Sequence, residues 1–583
     1  FFALAFAAMT LGACSSEDVV DNGGNGNLVG GETGYVSLNL NLPTQPSTRA
    51  ANDNFAEGTS DEYAVKDGVL LLFKGASESA ATLASAYTLD VATAGFAADG
   101  SGQIDSKGTI VQQITVPSTT TGEKIYALAV LNANGLITVS NGSASIGSTS
   151  LAGKKLSDIT SLAVSADGAK LIANGFFMSN APLFSGTSTG TAAPAGSAVT
   201  LAEVDPEKIY SSQSEASMNG NAAADIYVER AVAKVTVKSN ATTPENSKIT
   251  ALTVDGWTLN VTNNKTYLVR NVAPATSWWG YASASTKETD KYRFVGTNAV
   301  KTGYYRTYWG IDPNYNQYVA ADFTNNSLKE LDNKALTACD GTTPLYCAEN
   351  TFDVDNMNEN QTTAVIVKAE LTVTGAETDG SFYTINGNNS TIYQKTGIED
   401  YVKSLVQTWV ETNKATYIKN GTVDGTDLTV TLSNSTTDGN KGGMVTVTKV
   451  EYTGDGITDW ADGQSTKTLN EGIAAALESI MANINIAYYK GGESYYAIRI
   501  KHFGDDLTPW GNNVTYTDSE ADLLGRYGVL RNNWYDITVN SITNIGSPSV
   551  PEVTEKQDDP TASYISATIN VLSWAKREQS VNL

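Results

Sequence analysis

Apolar and polar residues alternate strictly near both ends of the chain. The residues that share this spacing are Val36, Leu38, Leu40 and Leu42 near the N-terminus and Ile565, Ala567, Ile569 and Val571 near the C-terminus. A period of two places such side chains on one face of a β-strand. The sequence therefore predicts a strand at each end, over 35–42 and 564–574, each with one face for a core.

Between these ends, short apolar runs recur between turns rich in Gly, Asn, Ser and Asp. The clearest runs cover 68–73, 124–131, 233–238 and 363–368. Only 397–418 and 469–484 show the apolar spacing of a helix. Many short strands with few helices are typical of β-sandwiches or barrels, so we predict an all-β fold with a few short helices.

Length and charge narrow the picture further. The chain has 583 residues, enough for two large domains or three to four small ones, and loop-like residues 185–225 indicate a boundary near 220. The formal net charge is −24. A nucleic-acid partner is therefore disfavoured, because phosphate binding requires a basic surface.

The chain offers little for catalysis. His502 is the one histidine, which excludes sites that need two. Residues 186–190 match G-x-S-x-G, but they lie in a Ser/Thr/Gly loop with no helical pattern after it. Acidic residues over 353–359 favour a solvated loop, with a weak calcium site as the alternative. We expect no enzymatic activity, no cofactor and no metal.

The N-terminus carries an export signal. An apolar run, residues 1–13, ends in Leu-Gly-Ala before Cys14 and is too short to span a bilayer. This ending resembles a bacterial lipobox, which implies cleavage before Cys14 and acylation of its thiol. A plain secretory signal is the alternative. Residues 15–33 are predicted to be a flexible polar tether.

Arg49 stands in the polar, Pro-containing loop after the first predicted strand. No other arginine precedes Arg230. An arginine-specific protease would thus have a single target in the N-terminal third, after Arg49 and before Ala50, in the kind of loop where cleavage concentrates. The alternative is an ordinary exposed arginine.

Cysteines and aromatic residues leave further alternatives open. Cys339 and Cys347 flank a turn-forming segment, so they are predicted either to form a disulfide or to remain free. Trp278, Trp279 and the aromatic run 304–309 are candidates for glycan binding, although core packing is the commoner role of such residues.

The two terminal strands suggest a mechanism of assembly. A strand with one apolar face can fill a groove and pair with the exposed edges there. We expect the N-terminal strand to occupy a groove in the precursor, to leave after a cut at Arg49, and to be replaced by the C-terminal strand of a neighbouring subunit. Such contacts do not close, so they make a filament. The alternative is that the C-terminal strand pairs within its own domain.

Several segments, taken with the lipobox and Arg49, resemble a known family. They are Val228–Val235, Gly256–Asn260, Tyr346–Asn350, Gly528–Tyr535 and Ile569–Trp574. The chain resembles the fimbrillins, the major fimbrial subunits of type V pili, and among them the Mfa-type subunits.

The resemblance implies two tandem transthyretin-like β-sandwich domains, which we place at 50–220 and 221–550. It implies a truncated lipoprotein signal over 1–13, a tether and propeptide strand over 14–49 that is removed on maturation, and a donor strand in the tail 551–583 that includes Trp574. It also implies a precursor lipid-anchored in the outer membrane and a mature subunit in a cell-surface fimbrium.

The partners implied are further copies of the chain, accessory anchor and tip pilins, an arginine-specific protease, and host or bacterial surface ligands. Membrane contact is expected only through the lipid anchor. The alternative function is a monomeric outer-membrane lipoprotein that binds a glycan or a host protein; a glycosidase is a third and weaker reading.

Overall fold

The computed structural model describes residues 28–41, 59–91, 107–186, 196–218, 220–244, 248–272, 295–307, 309–326, 331, 334–353, 356–358, 361–433, 442–502, 527–551, 565–572 and 576–577. Strands dominate these residues, as predicted, and the helices are few and mostly short. The predicted all-β fold class is confirmed.

The strands of the first part of the chain are β1 (Thr33–Asn41), β2 (Gly68–Gly75), β3 (Thr82–Thr88), β4 (Lys107–Thr115), β5 (Lys124–Leu131), β6 (Thr138–Ser140), β7 (Ser143–Ile146), β8 (Thr149–Ser150), β9 (Ala163–Ser165), β10 (Met178–Asn180), β11 (Leu183–Gly186), β12 (Gly196–Val199), β13 (Ala202–Val204), β14 (Ile209–Tyr210) and β15 (Ala224–Arg230).

The strands that follow are β16 (Val232–Ser239), β17 (Ile249–Asn260), β18 (Thr262–Asn263), β19 (Lys265–Tyr267), β20 (Val295–Lys301), β21 (Tyr304–Thr307), β22 (Phe323–Thr324), β23 (Leu345–Ala348), β24 (Ala364–Val373), β25 (Phe382–Ile385), β26 (Ile418–Gly421), β27 (Leu428–Leu432), β28 (Gly443–Val445), β29 (Val447–Tyr452), β30 (Ile457–Trp460), β31 (Ile486–Tyr489), β32 (Glu493–Arg499), β33 (Trp534–Ile542), β34 (Ile565–Leu572) and β35 (Lys576–Arg577).

The α-helices are α1 (Ser60–Tyr63), α2 (Leu156–Thr160), α3 (Gly168–Ile172), α4 (Gln213–Ala216), α5 (Lys395–Thr412), α6 (Lys414–Tyr417) and α7 (Thr466–Met481). The two longest, α5 and α7, confirm the two predicted helices. On α5 the buried residues are Ile398, Val402, Val406 and Val410. Their spacing of four puts them on one face of the helix.

The first large sheet curls around a core. Its order is β14-β1-β15-β10-β5-β2-β3, with β4 beside β1 and β13 beside β5. One apolar cluster combines side chains of β1, β4 and β15 with side chains of β2 and β5. The two halves of the sheet therefore face each other across this cluster. A second cluster covers the other face of β2 and β5, so these two strands are buried on both faces.

A pair of packed sheets follows the first large sheet. The sheet β23-β16-β33-β34-β35 packs against β17-β24-β32, with an apolar cluster between them. A further cluster joins α5 and α7 to β25 and to strands between β26 and β31. The first sheet ends at Arg230 and the next begins at Val232. The division into domains at 50–220 and 221–550 remains a proposal.

Candidate functional site

The N-terminal strand β1 forms an integral part of the first core. Val36, Leu38 and Leu40 are completely buried in the cluster between the two halves of the sheet. The intervening residues Tyr35 and Asn39 are half-buried on the other face. The predicted strand with one apolar face is therefore confirmed over residues 33–41, while Leu42 lies outside the described residues.

Both edges of β1 are paired. On one edge, β4 runs antiparallel to it along its whole length, from Thr33 opposite Thr115 to Asn41 opposite Lys107. Since β4 occupies that edge, β14 and β15 share the other. There β14 pairs with residues 35–36 in the antiparallel sense, and β15 with residues 38–41 in the parallel sense. We call this position, between β4 on one side and β14 and β15 on the other, the β1 slot.

Polar side chains fix the register of β1 on its outer face. Asn39 Nδ2 donates to Asp225 Oδ1 at 2.8 Å, and Asn39 Oδ1 accepts from Thr109 Oγ1 at 2.8 Å. Asn41 Nδ2 donates to the carbonyl of Ile226 at 3.3 Å, while the Tyr35 hydroxyl accepts from Gln113 Nε2 at 3.2 Å. A one-residue slip would break these bonds and expose the aliphatic face.

Every strand that pairs with β1 follows Arg49 in the sequence. Arg49 and Ala50 lie outside the described residues, as does Cys14, so their predicted roles in cleavage and lipidation stay predictions. Thr59 is the N-cap residue of α1. Among the described strands, β4 pairs with β1 alone, so β1 is what joins β4 to the rest of the first sheet.

Glu62 anchors the short helix α1. Its carboxylate is buried and lies 2.6 Å from Lys234 Nζ, and the Tyr346 hydroxyl donates to the same carboxylate. The Glu62 carbonyl accepts from Arg230 Nε at 2.6 Å. Burial lowers the pKa of the Arg230 guanidinium to about 10, although Glu62 opposes that shift. Segment 59–63 is thus tied to the junction between the first and second sheets.

The same junction contains two further buried ion pairs. Arg270 donates through Nε and Nη2 to both carboxylate oxygens of Glu229, at 2.8 and 2.7 Å. Arg531 Nε donates to Glu349 Oε2 at 3.1 Å, and its backbone carbonyl accepts from Arg270 Nη2. A bidentate arginine–carboxylate pair fixes geometry as well as charge.

This junction network was not predicted from the sequence. Its members Glu229, Glu349 and Arg531 lie in segments 228–235, 346–350 and 528–535, which carry part of the resemblance to the fimbrillins. Charged residues inside otherwise apolar strand patterns were the available signal, because buried charges are rare unless paired.

The C-terminal strand β34 lies in the second part of the molecule. It pairs antiparallel with β33 along its length, from Ile565 opposite Ile542 to Leu572 opposite Trp534. Among the described residues, its other edge pairs at Val571 and Leu572, with β35. The predicted strand over 564–574 is therefore present as Ile565–Leu572, paired in its own sheet as the alternative had it, and Trp574 lies outside the described residues.

Cys339 and Cys347 are free and far apart. Cys339 is half-buried and Cys347 is buried. Cys347 lies opposite Ala233 on β16, whereas Asp340, next to Cys339, lies opposite Lys238. Five residues of strand separate these positions by roughly 16 Å. A disulfide needs Cα atoms less than about 7 Å apart, so the structure does not support the bond between Cys339 and Cys347.

The remaining candidate residues occupy structural positions or fall outside the description. His502 is buried, and its Nδ1 lies 2.8 Å from the Tyr535 hydroxyl. Trp309 is buried, which agrees with the core alternative. Residues 187–190, Trp278, Trp279 and Glu359 lie outside the described residues.

Within the described part of the chain, no group of His, Cys, Asp and Glu side chains is arranged to hold a metal ion, and no helix is long and apolar enough to cross a membrane.

Comparison with known families gives one match. Residues 487–580 match the family described as "Major fimbrial subunit protein type IV, Fimbrillin, C-terminal". This range contains β32, β33, β34 and β35. The resemblance to the fimbrillins that the sequence segments indicated is confirmed over this range. No curated protein matches the chain in sequence.

Solved structures of fimbrial proteins are similar over much of the chain, at low identity. A fimbrilin (FimA) from Porphyromonas gingivalis W83 is 12% identical, with 94% of this chain and 99% of that chain covered and a TM-score of 0.35. The tip fimbrial protein Mfa3 from Porphyromonas gingivalis is 10% identical, with 62% and 97% covered and a TM-score of 0.22. The fimbrial anchor protein Mfa2 of the same organism is 8% identical, with 73% and 99% covered and a TM-score of 0.18.

Proposed function

We propose that this protein is the structural subunit of the stalk of an adhesive type V fimbria. Its precursor is exported as a lipoprotein acylated at Cys14 and held at the outer membrane. Cleavage after Arg49 frees the N-terminal strand, and the C-terminal strand of one subunit fills the β1 slot of the next.

One observation carries this proposal. β1 is an internal strand of the first sheet, yet Arg49 separates it in sequence from β4, β14 and β15. A cut at Arg49 would leave β1 in place but held only by noncovalent contacts. The subunit would then contain a strand-shaped slot with a removable occupant, which is the requirement for assembly by strand exchange.

The energetics fit a removable but necessary strand. Burying Val36, Leu38 and Leu40 contributes about 5–9 kcal/mol, at roughly 1.5–3 kcal/mol per buried aliphatic side chain. Together with the backbone pairing on both edges, this burial favours retention of β1 after a cut. It is also comparable with the whole stability of an ordinary domain, so an empty slot would be costly and would favour a replacement strand.

The C-terminal strand is suited to be that replacement. β34 is near the end of the chain and is fully paired along one edge only, by β33. Its departure would leave β33 paired with β16. In the β1 slot, by contrast, an occupant pairs along one whole edge and along most of the other.

The family match supports a structural role over a catalytic one. The family is one of fimbrial subunits, and its matched region, 487–580, contains the proposed donor strand. A cell-surface location in a fimbrium follows from that role. Accessory tip and anchor pilins, an arginine-specific protease and surface ligands are the partners that we propose with it.

The test is polymerisation after defined proteolysis. A soluble precursor without residues 1–14 is treated with an arginine-specific protease and followed by SDS-PAGE without boiling and by electron microscopy. We expect ladders and fibres from the full chain, but none from an Arg49→Lys variant or from a chain truncated after Asp559. Arg49→Lys keeps the charge, so it isolates the protease specificity.

Complete cleavage without ladders or fibres would contradict self-assembly by strand exchange. The monomeric lipoprotein that binds a glycan or a host protein would then be the better description. Fibres from the truncated chain would instead show that assembly does not use the C-terminal strand.

A further inference from the structure

The two terminal strands match at several polar positions as well as in their apolar spacing. Residues 35–42 read Tyr-Val-Ser-Leu-Asn-Leu-Asn-Leu, and residues 564–571 read Tyr-Ile-Ser-Ala-Thr-Ile-Asn-Val. Without a gap, tyrosine, serine and the second asparagine coincide. Aliphatic residues face aliphatic residues at the buried positions. The match therefore extends to the polar face, which core packing alone does not require.

We propose, on the basis of the strand-exchange function above, that residues 564–571 of a second copy occupy the β1 slot in the direction and register of residues 35–42. Tyr564 then takes the place of Tyr35, and Asn570 the place of Asn41. The incoming strand runs antiparallel to β4 and parallel to β15, as β1 does.

The slot has a hydrogen-bond partner for the matched tyrosine and for the matched asparagine. The hydroxyl at position 35 accepts from Gln113, and the amide at position 41 donates to the Ile226 carbonyl. Ser37 is nearly completely buried, so only a small side chain such as that of Ser566 fits there. At position 39, the hydroxyl of Thr568 can both donate to Asp225 and accept from Thr109, because a hydroxyl does both.

The two neighbouring registers that keep the same face buried fit less well. If the donor is shifted so that Ala567 lies at position 36, Ile565 falls at Gly34. There a Cβ atom would come within 2.8 Å of Ile209 Cγ2. If it is shifted so that Ile565 lies at position 38, Ser563 falls at position 36. A hydroxyl would then be buried among aliphatic side chains, which is unfavourable without a partner.

Cysteine cross-linking tests the register. In the slot, position 39 lies directly opposite Thr109, and directly opposed residues of antiparallel strands have Cα atoms about 4.5–5.5 Å apart. A disulfide can bridge that distance, whereas an offset of two residues adds about 6.6 Å along the strand. We therefore compare three double-cysteine variants. Each contains Thr109→Cys, combined with Thr568→Cys, Ser566→Cys or Asn570→Cys.

After cleavage and oxidation, we expect the pair that contains Thr568→Cys to give a covalent ladder that survives boiling without reductant. The two offset pairs, the single-cysteine variants and the uncleaved double variant should give none. The single variants also control for Cys339 and Cys347.

The outcomes distinguish failure of the proposed register from failure of the proposed strand-exchange function. A ladder from an offset pair would overturn the register and leave strand exchange standing. Fibres that cross-link with none of the three pairs would overturn this slot and occupant, although the protein still polymerises. Absence of fibres from the wild-type cleaved subunit would overturn the proposed function and the register together.

Discussion

The strongest single test of the β1 slot is Leu38→Ala. Leu38 is completely buried, at the centre of the face that β1 contributes to the first core. Replacing a buried leucine with alanine costs about 2.7–5 kcal/mol, depending on how far the cavity collapses. In the cleaved subunit, that cost falls on the noncovalent binding of the N-terminal strand. Since 1.36 kcal/mol corresponds to a tenfold change in rate, we expect the cleaved strand to leave about 100-fold faster or more.

The assay follows the strand directly. Val29 is 63% exposed, so a Val29→Cys variant accepts a fluorescent label close to β1. Labelled precursor is cleaved with the arginine-specific protease, and release of the fragment is read as a fall in fluorescence anisotropy. Polymerisation should show a correspondingly shorter lag.

A matched control separates the slot from general stability. Leu151 is also completely buried, but it belongs to the other core cluster, across β2 and β5. Leu151→Ala should lower the free energy of unfolding of the uncleaved precursor by a similar amount and leave strand release nearly unchanged. Equal release rates for Leu38→Ala and the wild type, with cleavage complete in both, would refute the idea that the buried face of β1 retains it.

Three further results are expected. Ala567→Leu should raise the temperature at which unboiled polymer dissociates, because it restores a leucine at the place of Leu38; a lower temperature would contradict the register. Glu62→Gln should lower the free energy of unfolding by about 3–5 kcal/mol in urea titrations, because the charge of Lys234 stays buried without the Glu62 carboxylate. Its control, Glu203→Gln, breaks an exposed pair with Lys124 and should leave the free energy of unfolding nearly unchanged. Asp312→Asn should gain stability relative to the wild type as the pH rises from 4 to 7. Burial raises the pKa of Asp312 to about 7, although the hydrogen-bond donors Thr351 and Asn314 act to lower it. The unfolded chain therefore loses this proton at a lower pH than the folded chain does, and the folded wild type becomes less stable over this range. Melting temperatures that stay parallel over that range would contradict the Asp312 argument.

The local spacing of apolar residues predicted the clearest strands and helices of the fold. The alternation over 35–42 predicted β1, and the spacing of four over Ile398, Val402 and Val406 predicted α5. These elements follow from short-range periodicity, because burial on one face imposes it. The bounds differ by a few residues, since strand and helix ends are set by neighbours and not by pattern.

Contacts between residues far apart in sequence could not be predicted from such local spacing. Glu62 and Lys234 are 172 residues apart in sequence, and nothing in either segment specifies the other. The distance between Cys339 and Cys347 depends on how both segments lie along β16, which the turn formers between them do not reveal. The slot itself depends on the crossover that puts β4 on one edge of β1 and β15 on the other. Topology, not composition, makes β1 an internal strand whose partners all follow Arg49 in the sequence.

In the proposed assembly, the side chains of β1 and of the donor give a reason for a protease to act as the switch. Leu38 fills its site more fully than Ala567 would, so the donor is the weaker occupant by packing alone. While the chain is intact, β1 is covalently joined to the rest of the first sheet, so its effective concentration at its slot is high. A neighbour's tail cannot compete under those conditions. Under this proposal, cleavage at Arg49 would remove the covalent link, and a departed strand would be diluted into solution. The donor would stay attached to a subunit that the growing fibre holds in place, so the advantage of a high effective concentration would pass from β1 to the donor.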